Sequence, residues 1–199
     1  MQTAISGNWQ FVDTKENTGM FNMEFDEQCA RTLLAGAGVP TLRLFRWKPW
    51  AVSIGFNQNI GEIDVEKCAA LGIDVVRRPT GGRAILHAEE LTYSVVMLAG
   101  RHSVLEIYNM ISKALVNGLS LFGIEATLQR LQPNFAETYK HPSSIPCFTA
   151  SARYEIELNG RKLVGSAQRR YRNDEREVVL QHGSILTGPA HRRLADLLA

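Results

Sequence analysis

The chain contains few cysteines and no long hydrophobic run. Its 199 residues include only three cysteines, Cys29, Cys68 and Cys147, and no two of them have the CxxC spacing of a metal or redox site. No apolar stretch approaches the roughly 18–20 residues that a membrane-spanning helix needs. The N-terminal residues also lack the basic start and apolar stretch of a signal peptide. We therefore expect a cytoplasmic protein without a membrane partner.

Strong charge and nucleotide-binding loops are absent as well. The net charge of +2 is too small to indicate nucleic acid as a partner. Neither GxGxxG nor GxxxxGK[ST] occurs, which argues against dinucleotide-binding and phosphate-loop folds. The histidines have no second ligand at a suitable spacing, so we expect no metal site. Because no repeat or linker interrupts the chain, residues 1–199 are expected to form a single domain.

Hydrophobic periodicity predicts an α+β fold. Helical patterns cover residues 22–34, 64–71 and 103–122 and the tail from residue 190. Short apolar or alternating runs indicate strands at 42–47, 51–56, 73–77, 84–87, 91–98, 154–158 and 178–186. Strands joined by short turns, with helices set between groups of them, predict a mainly antiparallel mixed sheet flanked by helices.

The clearest local signal is a β-hairpin at Asn159-Gly160. Both residues tolerate positive φ, so this pair favours a type I′ turn. A two-residue turn places Leu158 opposite Arg161, Glu157 opposite Lys162, and Ile156 opposite Leu163. Lys162 then lies on the face opposite Ile156. If that face meets solvent, Lys162 forms an exposed pair with Glu157; if it lines a cleft, its ammonium is available to a substrate or a thiol.

The segment Arg-Arg-Pro-Thr-Gly-Gly-Arg-Ala-Ile-Leu-His at residues 77–87 is the densest candidate for a binding site. Its two glycines let the backbone approach a ligand closely, and its arginines offer forked donors for phosphate or carboxylate. The alternative is a Gly-Gly hairpin turn with solvated arginines. Both readings fit the spacing.

Cys147 lies in an irregular stretch, residues 141–148, that has neither helical nor strand periodicity. A nearby cation would lower the pKa of its thiol and make it a nucleophile. The alternative is a small buried thiol beside Phe148. Cys29 and Cys68 fall on predicted helices near alanines, where we expect them to pack.

Two further patterns lie beyond the hairpin. Residues 165–168, Gly-Ser-Ala-Gln, form a small-residue run within a predicted strand, which suggests close approach of a ligand or of another backbone. Basic residues are frequent between 161 and 176. They form either a solvated strand edge or a surface that docks an acidic protein.

Taken together, these blocks resemble the biotin/lipoate A/B protein ligase family, which includes lipoate–protein ligases and octanoyltransferases. The segments that carry the resemblance are 46–49, 53–58, 77–87, 90–95, 159–168 and 180–185, and the match runs from about residue 8 to residue 187. The combination of RRxTGGxxxxH with GxKxxGSAQ is specific. The resemblance implies the catalytic-domain fold of that family.

Residue 147 separates the branches of the family. This chain has Pro-Cys-Phe-Thr at 146–149, where ATP-dependent ligases usually carry an Asn-Asp element. It is therefore similar to the cysteine-dependent octanoyltransferases, which implies that Cys147 accepts an octanoyl or lipoyl group from acyl carrier protein as a thioester. The group then passes to a lysine of a lipoyl-accepting domain such as the glycine-cleavage H protein. This branch requires no cofactor.

The resemblance also implies roles for individual residues. Cys147 and Lys162 are expected to be catalytic, and the expected substrate-binding residues are Arg78, Gly81, Gly82, His87, Gly165, Ser166 and Ala167. Two alternatives remain: an ATP-dependent lipoate–protein ligase that uses ATP and Mg²⁺ and forms lipoyl-AMP, and a non-catalytic protein that binds acidic carrier domains through residues 161–176.

The resemblance bears on the extent of the chain too. We expect a monomer. Family members commonly continue past the final strand, so the chain is either a short form, a trimmed form, or one that a second polypeptide completes.

Overall fold

A computed structural model of the protein describes residues 7–129 and 155–199. In this part of the chain the α-helices are α1 (Gly19–Leu34), α2 (Val65–Ala70) and α3 (Val104–Leu121). Short 3-10 helices cover Ile60–Glu62 and Ala190–Leu197. The strands are β1 (Gln10–Asn17), β2 (Thr41–Trp47), β3 (Ala51–Ile54), β4 (Asp74–Arg77), β5 (Ile85–His87), β6 (Glu90–Leu98), β7 (Thr127–Gln129), β8 (Glu155–Leu158), β9 (Arg161–Arg172) and β10 (Glu177–Leu186).

These strands form two sheets. The large sheet has the order β1-β2-β6-β10-β9-β8-β7, and all of its neighbours are antiparallel except β1 and β2. The small sheet has the order β4-β3-β5, with β3 parallel to β4 and antiparallel to β5. The predicted α+β class and mainly antiparallel mixed sheet are therefore confirmed, although the strands divide between two sheets.

Helix α1 packs between the two sheets. Ala30 and Leu33 pack in a cluster with Val96 and Leu180 of the large sheet. Met23 packs in another cluster, which includes Val76 of the small sheet. Gly19 lies close to Val76, where a Cβ would meet a methyl group at 2.8 Å. This position of α1 brings its polar inner residues to the seam between the sheets.

Helix α3 covers the other face of the large sheet. Ile107 and Ile111 pack with Tyr93, Val95 and further buried residues of β6, β8, β9 and β10. Residues of β6 therefore alternate: odd-numbered positions face α3 and even-numbered positions face α1. The helix begins with a capping box formed by Ser103 and Glu106, and the side chain of Asp64 caps α2.

The hairpin of β8 and β9 confirms most of the predicted register and corrects one pair. Asn159 and Gly160 have φ values of 52° and 69°, as a type I′ turn requires. Glu157 pairs with Lys162 and Leu158 with Arg161. The prediction that Ile156 faces Leu163 is wrong: a bulge shifts the register, so that Ile156 pairs with Val164 and both side chains are buried.

Periodicity also missed strand β1. Its residues show no clean alternation, and Phe11 is 62% exposed at the edge of the sheet. Charged side chains of Asp13, Lys15 and Glu16 line this edge, which discourages pairing with another chain.

Among the helices of the described residues, none is both long and apolar enough to cross a membrane.

Candidate functional site

Residues 78–84 form the loop between β4 and β5, and protein donors hold its carbonyl groups. The amide of Phe56 donates to the Thr80 carbonyl at 2.9 Å. The Arg169 guanidinium of β9 donates to the Pro79 carbonyl at 2.9 Å and lies 4.3 Å from the Phe56 ring centroid. The loop, which we call the glycine loop, is thereby fixed to both sheets.

Arg78 holds the glycine loop from within. It is only 3% exposed, and its guanidinium donates to the carbonyls of Gly81 and Arg83 at 2.8 and 2.7 Å. It also donates to the carbonyl of Ser53 at 2.9 Å. These bonds give Arg78 a structural task, and direct contact of Arg78 with a substrate stays a prediction.

Gly81 and Gly82 are exposed at the tip of the loop. Gly82 has a φ of 97°, a conformation that favours glycine, and no atom lies within 4 Å of the position of a Cβ on Gly81. The carbonyls of Thr80 and Gly81 accept hydrogen bonds from the protein, but both glycines remain exposed to solvent. This exposure suits the predicted role of Gly81 and Gly82 in binding.

His87 lies beneath the loop in a chain of hydrogen bonds. Its Nδ1 lies 2.8 Å from Glu90 Oε1, its Nε2 lies 2.7 Å from Ser53 Oγ, and its ring stacks on Trp47 with centroids 3.9 Å apart. Burial alone would raise the pKa of Glu90, but His87, Thr92 and Ser184 hold that pKa below its ordinary value. His87 is only 5% exposed and connects to the loop through Ser53, whose Oγ accepts from Arg78 at 3.1 Å; direct contact of His87 with a substrate stays a prediction.

A second buried chain, which sequence analysis missed, contacts the loop at Thr80. His182 of β10 places Nε2 2.6 Å from Thr80 Oγ1 and Nδ1 3.2 Å from Asp26 Oδ2 of α1. Asp26 Oδ1 in turn accepts from Arg43 of β2 at 2.8 Å and from Ser94 at 2.7 Å. Four elements thus converge beneath one threonine of the glycine loop.

Two signals in the sequence could have revealed the ion pair of this chain. Asp26 lies three residues after Met23 and four before Ala30, on the apolar stripe of α1. Arg43 occupies an inward position in the alternating pattern of β2. A charge on the inner face of both a helix and a strand indicates that the two form a buried pair.

Strand β9 brings the predicted small residues next to β10. Gly165 pairs with Ser184, Ser166 with Gly183, and Ala167 with His182. A Cβ on Gly183 would meet the Gly165 carbonyl at 2.5 Å, so small residues allow this close approach.

Ser166 is held at two of its atoms. Its Oγ lies 2.7 Å from Tyr93 Oη, and its carbonyl accepts from Tyr108 Oη at 2.8 Å. Burial raises the pKa of Tyr93, which keeps its phenol protonated. The structure therefore places Gly165–Ala167 beside the strand that supports the glycine loop.

The two predicted catalytic residues are placed differently. Cys147 lies outside the described residues. Lys162 is half-buried and pairs with Glu157 across the hairpin, three residues before Gly165. The other two cysteines pack as expected: Cys68 is buried and Cys29 half-buried, and burial raises the pKa of both thiols.

The basic residues of β9 and the following turn are engaged with their neighbours. Arg170 and Arg172 both bond to Glu177, at 3.1 and 2.6 Å. Arg176 lies 3.3 Å from Glu175. With Arg169 bound to the glycine loop, this stretch does not present a continuous row of unpaired arginines. Within residues 7–129 and 155–199, no three histidine, cysteine or acidic side chains cluster so as to hold a metal ion.

Sequence comparison identifies the family. Residues 18–199 match the family described as the lipoyl protein ligase A/B catalytic domain. The chain therefore belongs to this family, which confirms the resemblance seen in its motifs.

Individual relatives carry a more specific name. Octanoyltransferase LipM of Kyrpidia tusciae is 44% identical over 183 residues, covering 89% of this chain and 65% of that protein. Octanoyltransferase LipM of Bacillus subtilis is 38% identical over 197 residues, covering 95% of this chain and 69% of that protein. The chain thus spans about two thirds of the length of these curated relatives.

Solved structures show the same fold. A lipoate-protein ligase A bound with ATP has a TM-score of 0.75 and 23% identity, covering 98% of this chain and 72% of that one. A bi-partite lipoate protein ligase from Thermoplasma acidophilum has a TM-score of 0.69 and 21% identity, covering 96% of this chain and 66% of that one. The predicted catalytic-domain fold is therefore confirmed.

Proposed function

We propose that the chain is an octanoyltransferase domain that moves an octanoyl group from acyl carrier protein to a lysine of a lipoyl-accepting domain. The observation that carries this proposal is its 38–44% identity to proteins named octanoyltransferase. The cysteine at position 147 supports the same branch of the family.

The proposed chemistry consists of two acyl transfers. Cys147 Sγ attacks the thioester carbonyl of the donor, and the carrier thiol leaves and takes up a proton. The acceptor lysine amine then attacks the new Cys147 thioester, loses a proton and releases the thiol. Each step exchanges one acyl bond for another, so no ATP, metal or other cofactor is required.

The glycine loop supports this proposal through its shape. Gly81 and Gly82 offer accessible backbone to an acyl thioester, while Arg78 and His87 are buried behind them. In this proposal Arg78 and His87 shape the wall of the site. Strand β9 contributes Gly165, Ser166 and Ala167 beside it. Small residues on both sides suit an unbranched acyl chain.

Lys162 is the proposed partner of Cys147. An ammonium near the thiol would lower the pKa of the thiol and could shuttle the proton that each transfer releases. The half-buried position of Lys162, rather than a fully exposed one, agrees with this role.

The runner-up is an ATP-dependent lipoate–protein ligase. The structural similarity to a lipoate-protein ligase A solved with bound ATP is the observation that favours this candidate. One experiment separates the transferase from the ligase: the chain is mixed with octanoyl-loaded carrier protein and an H-protein acceptor in the absence of ATP. The transferase predicts that the mass of the acceptor rises by one octanoyl group. An acceptor modified only with free octanoate or lipoate, Mg²⁺ and ATP would identify a ligase.

The third candidate, a non-catalytic protein that docks acidic domains through residues 161–176, has less support. Four of its arginines already bond to neighbouring groups of the chain. Salt-sensitive binding of an acceptor without any turnover would favour it. A cytoplasmic location and a monomeric state remain predictions.

A further inference from the structure

The hydrogen bonds that reach Thr80 have a defined direction. Arg43 and Asp26 are each 1% exposed and their charged groups lie 2.8 Å apart, so Asp26 acts as a carboxylate that only accepts. His182 Nδ1 must therefore carry the proton that Asp26 Oδ2 accepts. In a neutral imidazole, Nε2 is then the acceptor.

His182 is held in that neutral form. Burial lowers the pKa of His182, Asp26 opposes this shift, and Arg78 and His87 lower the pKa further. The Thr80 hydroxyl consequently donates to His182 Nε2 at 2.6 Å. Thr80 is 1% exposed, so the loss of this bond would leave a buried nitrogen unpaired.

Thr80 directly precedes Gly81, and its side chain and its carbonyl are fixed by different elements. The hydroxyl is bound by β10, whereas the carbonyl accepts from the Phe56 amide next to β3. A threonine clamped at both groups fixes where the following Gly81-Gly82 backbone lies.

We propose that Asp26 and His182 are positioning residues for the glycine loop: through Thr80 they hold Gly81 and Gly82 where the acyl thioester binds. The role in catalysis rests on the function proposed above, but the effect on the loop does not. Neither residue touches the reacting atoms in this scheme.

The Phe56 amide reports the position of the loop independently of activity. In Thr80→Val, which keeps the shape of threonine but removes its donor, amide exchange at Phe56 should accelerate about five- to tenfold. Exchange at Arg78, whose amide bonds to the Ile54 carbonyl, should stay unchanged. Thr80→Ser should match the wild type. Thr41→Val is the matched control, because it removes another buried hydroxyl, one that donates to the Val39 carbonyl.

Acylation measures the consequence for the reaction. T80V should raise the KM for the octanoyl-loaded carrier about five- to tenfold, whereas T80S and T41V should not. If T80V does not fold, His182→Asn is used in its place. The amide introduced by this substitution can still donate to Asp26 but no longer binds the Thr80 hydroxyl.

Unchanged amide exchange at Phe56 in a folded T80V protein would overturn the proposal that Asp26 and His182 hold the glycine loop through Thr80. Faster exchange with unchanged acylation would overturn its role in the reaction. If the wild type itself forms no octanoyl adduct, the proposed function fails, and the exchange data still decide whether Asp26 and His182 hold the loop.

Discussion

Gly55 and Gly82 lie backbone against backbone: a methyl group on Gly55 would overlap the carbonyl oxygen of Gly82. Gly55 directly follows β3, and Gly82 lies in the glycine loop between β4 and β5. The absence of a side chain at residue 55 therefore sets how closely the loop packs on the small sheet. This contact joins two of the segments that carry the family resemblance, 53–58 and 77–87.

Gly55→Ala should destabilise the protein, because the added methyl group can be accommodated only by moving the backbone of the loop. We expect a loss of about 1–3 kcal/mol in the free energy of unfolding, measured by denaturant titration. Gly118→Ala is the control, since it lies within α3 and no atom is within 4 Å of its Cβ position. That variant should gain about 0.5–1 kcal/mol. Equal stabilities of the two variants would refute the close contact.

The Arg43–Asp26 pair should be costly to break from one side. Arg43→Met leaves the Asp26 carboxylate buried without its cation, so we expect a loss of about 3–5 kcal/mol. Arg31→Met, which breaks the exposed Arg31–Glu27 pair of α1, should cost at most about 0.5 kcal/mol. Comparable losses in the two variants, measured by denaturant unfolding, would show that the buried pair does not hold α1 on the large sheet.

Stability should fall as the pH drops below the ordinary pKa of histidine. The folded-state pKa of His182 is lowered, so the unfolded chain binds its proton first and stability is complete only above the unfolded pKa. Stability then declines as pH falls from about 6.5 towards the folded pKa, with a slope of up to about 1.4 kcal/mol per pH unit for this proton. Asp26, Arg78 and His87 are the charged or titratable groups that influence this pKa.

His182→Asn lacks this titration and provides the comparison. Its unfolding free energy should vary less with pH between 6.5 and 5 than that of the wild type. Below that range Glu90 contributes in both proteins, because its lowered pKa means that stability is lost when it protonates. Identical pH profiles for wild type and H182N would contradict a neutral, buried His182.

Local patterns predicted much of the fold because their causes are local. Apolar stripes located α1 and α3, although α1 begins at Gly19 and not at residue 22, and Asn159-Gly160 located the hairpin. The bulge that pairs Ile156 with Val164 could not be predicted, since it depends on how both side chains pack beneath α3. Strand β1 escaped notice because it pairs on one side only and lacks alternation.

The candidate site was predicted in part. Motifs located the glycine loop and Gly165–Ala167, which lie near each other through contacts such as Thr80 with His182, the partner of Ala167. Of the supporting groups, Glu90 lies only three residues after His87, whereas Asp26 meets His182 across 156 residues of chain, through the packing of α1 on the large sheet. The inner-face positions of Asp26 and Arg43 indicate a buried pair, but they do not indicate that His182 joins it.

Lys162 can be tested against its neighbour across the same turn. Lys162→Met should slow octanoyl transfer about 100-fold or more if its amine moves protons at the thioester. Arg161→Met, at an exposed position next to the turn, should retain normal transfer. Single-turnover transfer to the acceptor measures both variants. A K162M protein as active as R161M would remove Lys162 from the mechanism.

The most direct measurement is intact-protein mass spectrometry after mixing with octanoyl-loaded acyl carrier protein without ATP. Cys147→Ser and Cys29→Ser run beside the wild type, because Cys29 is half-buried and burial raises the pKa of its thiol. We predict an octanoyl adduct on wild type and C29S, removed when the H protein is added, and none on C147S. An adduct on C147S, or normal acceptor modification by C147S, would contradict the account.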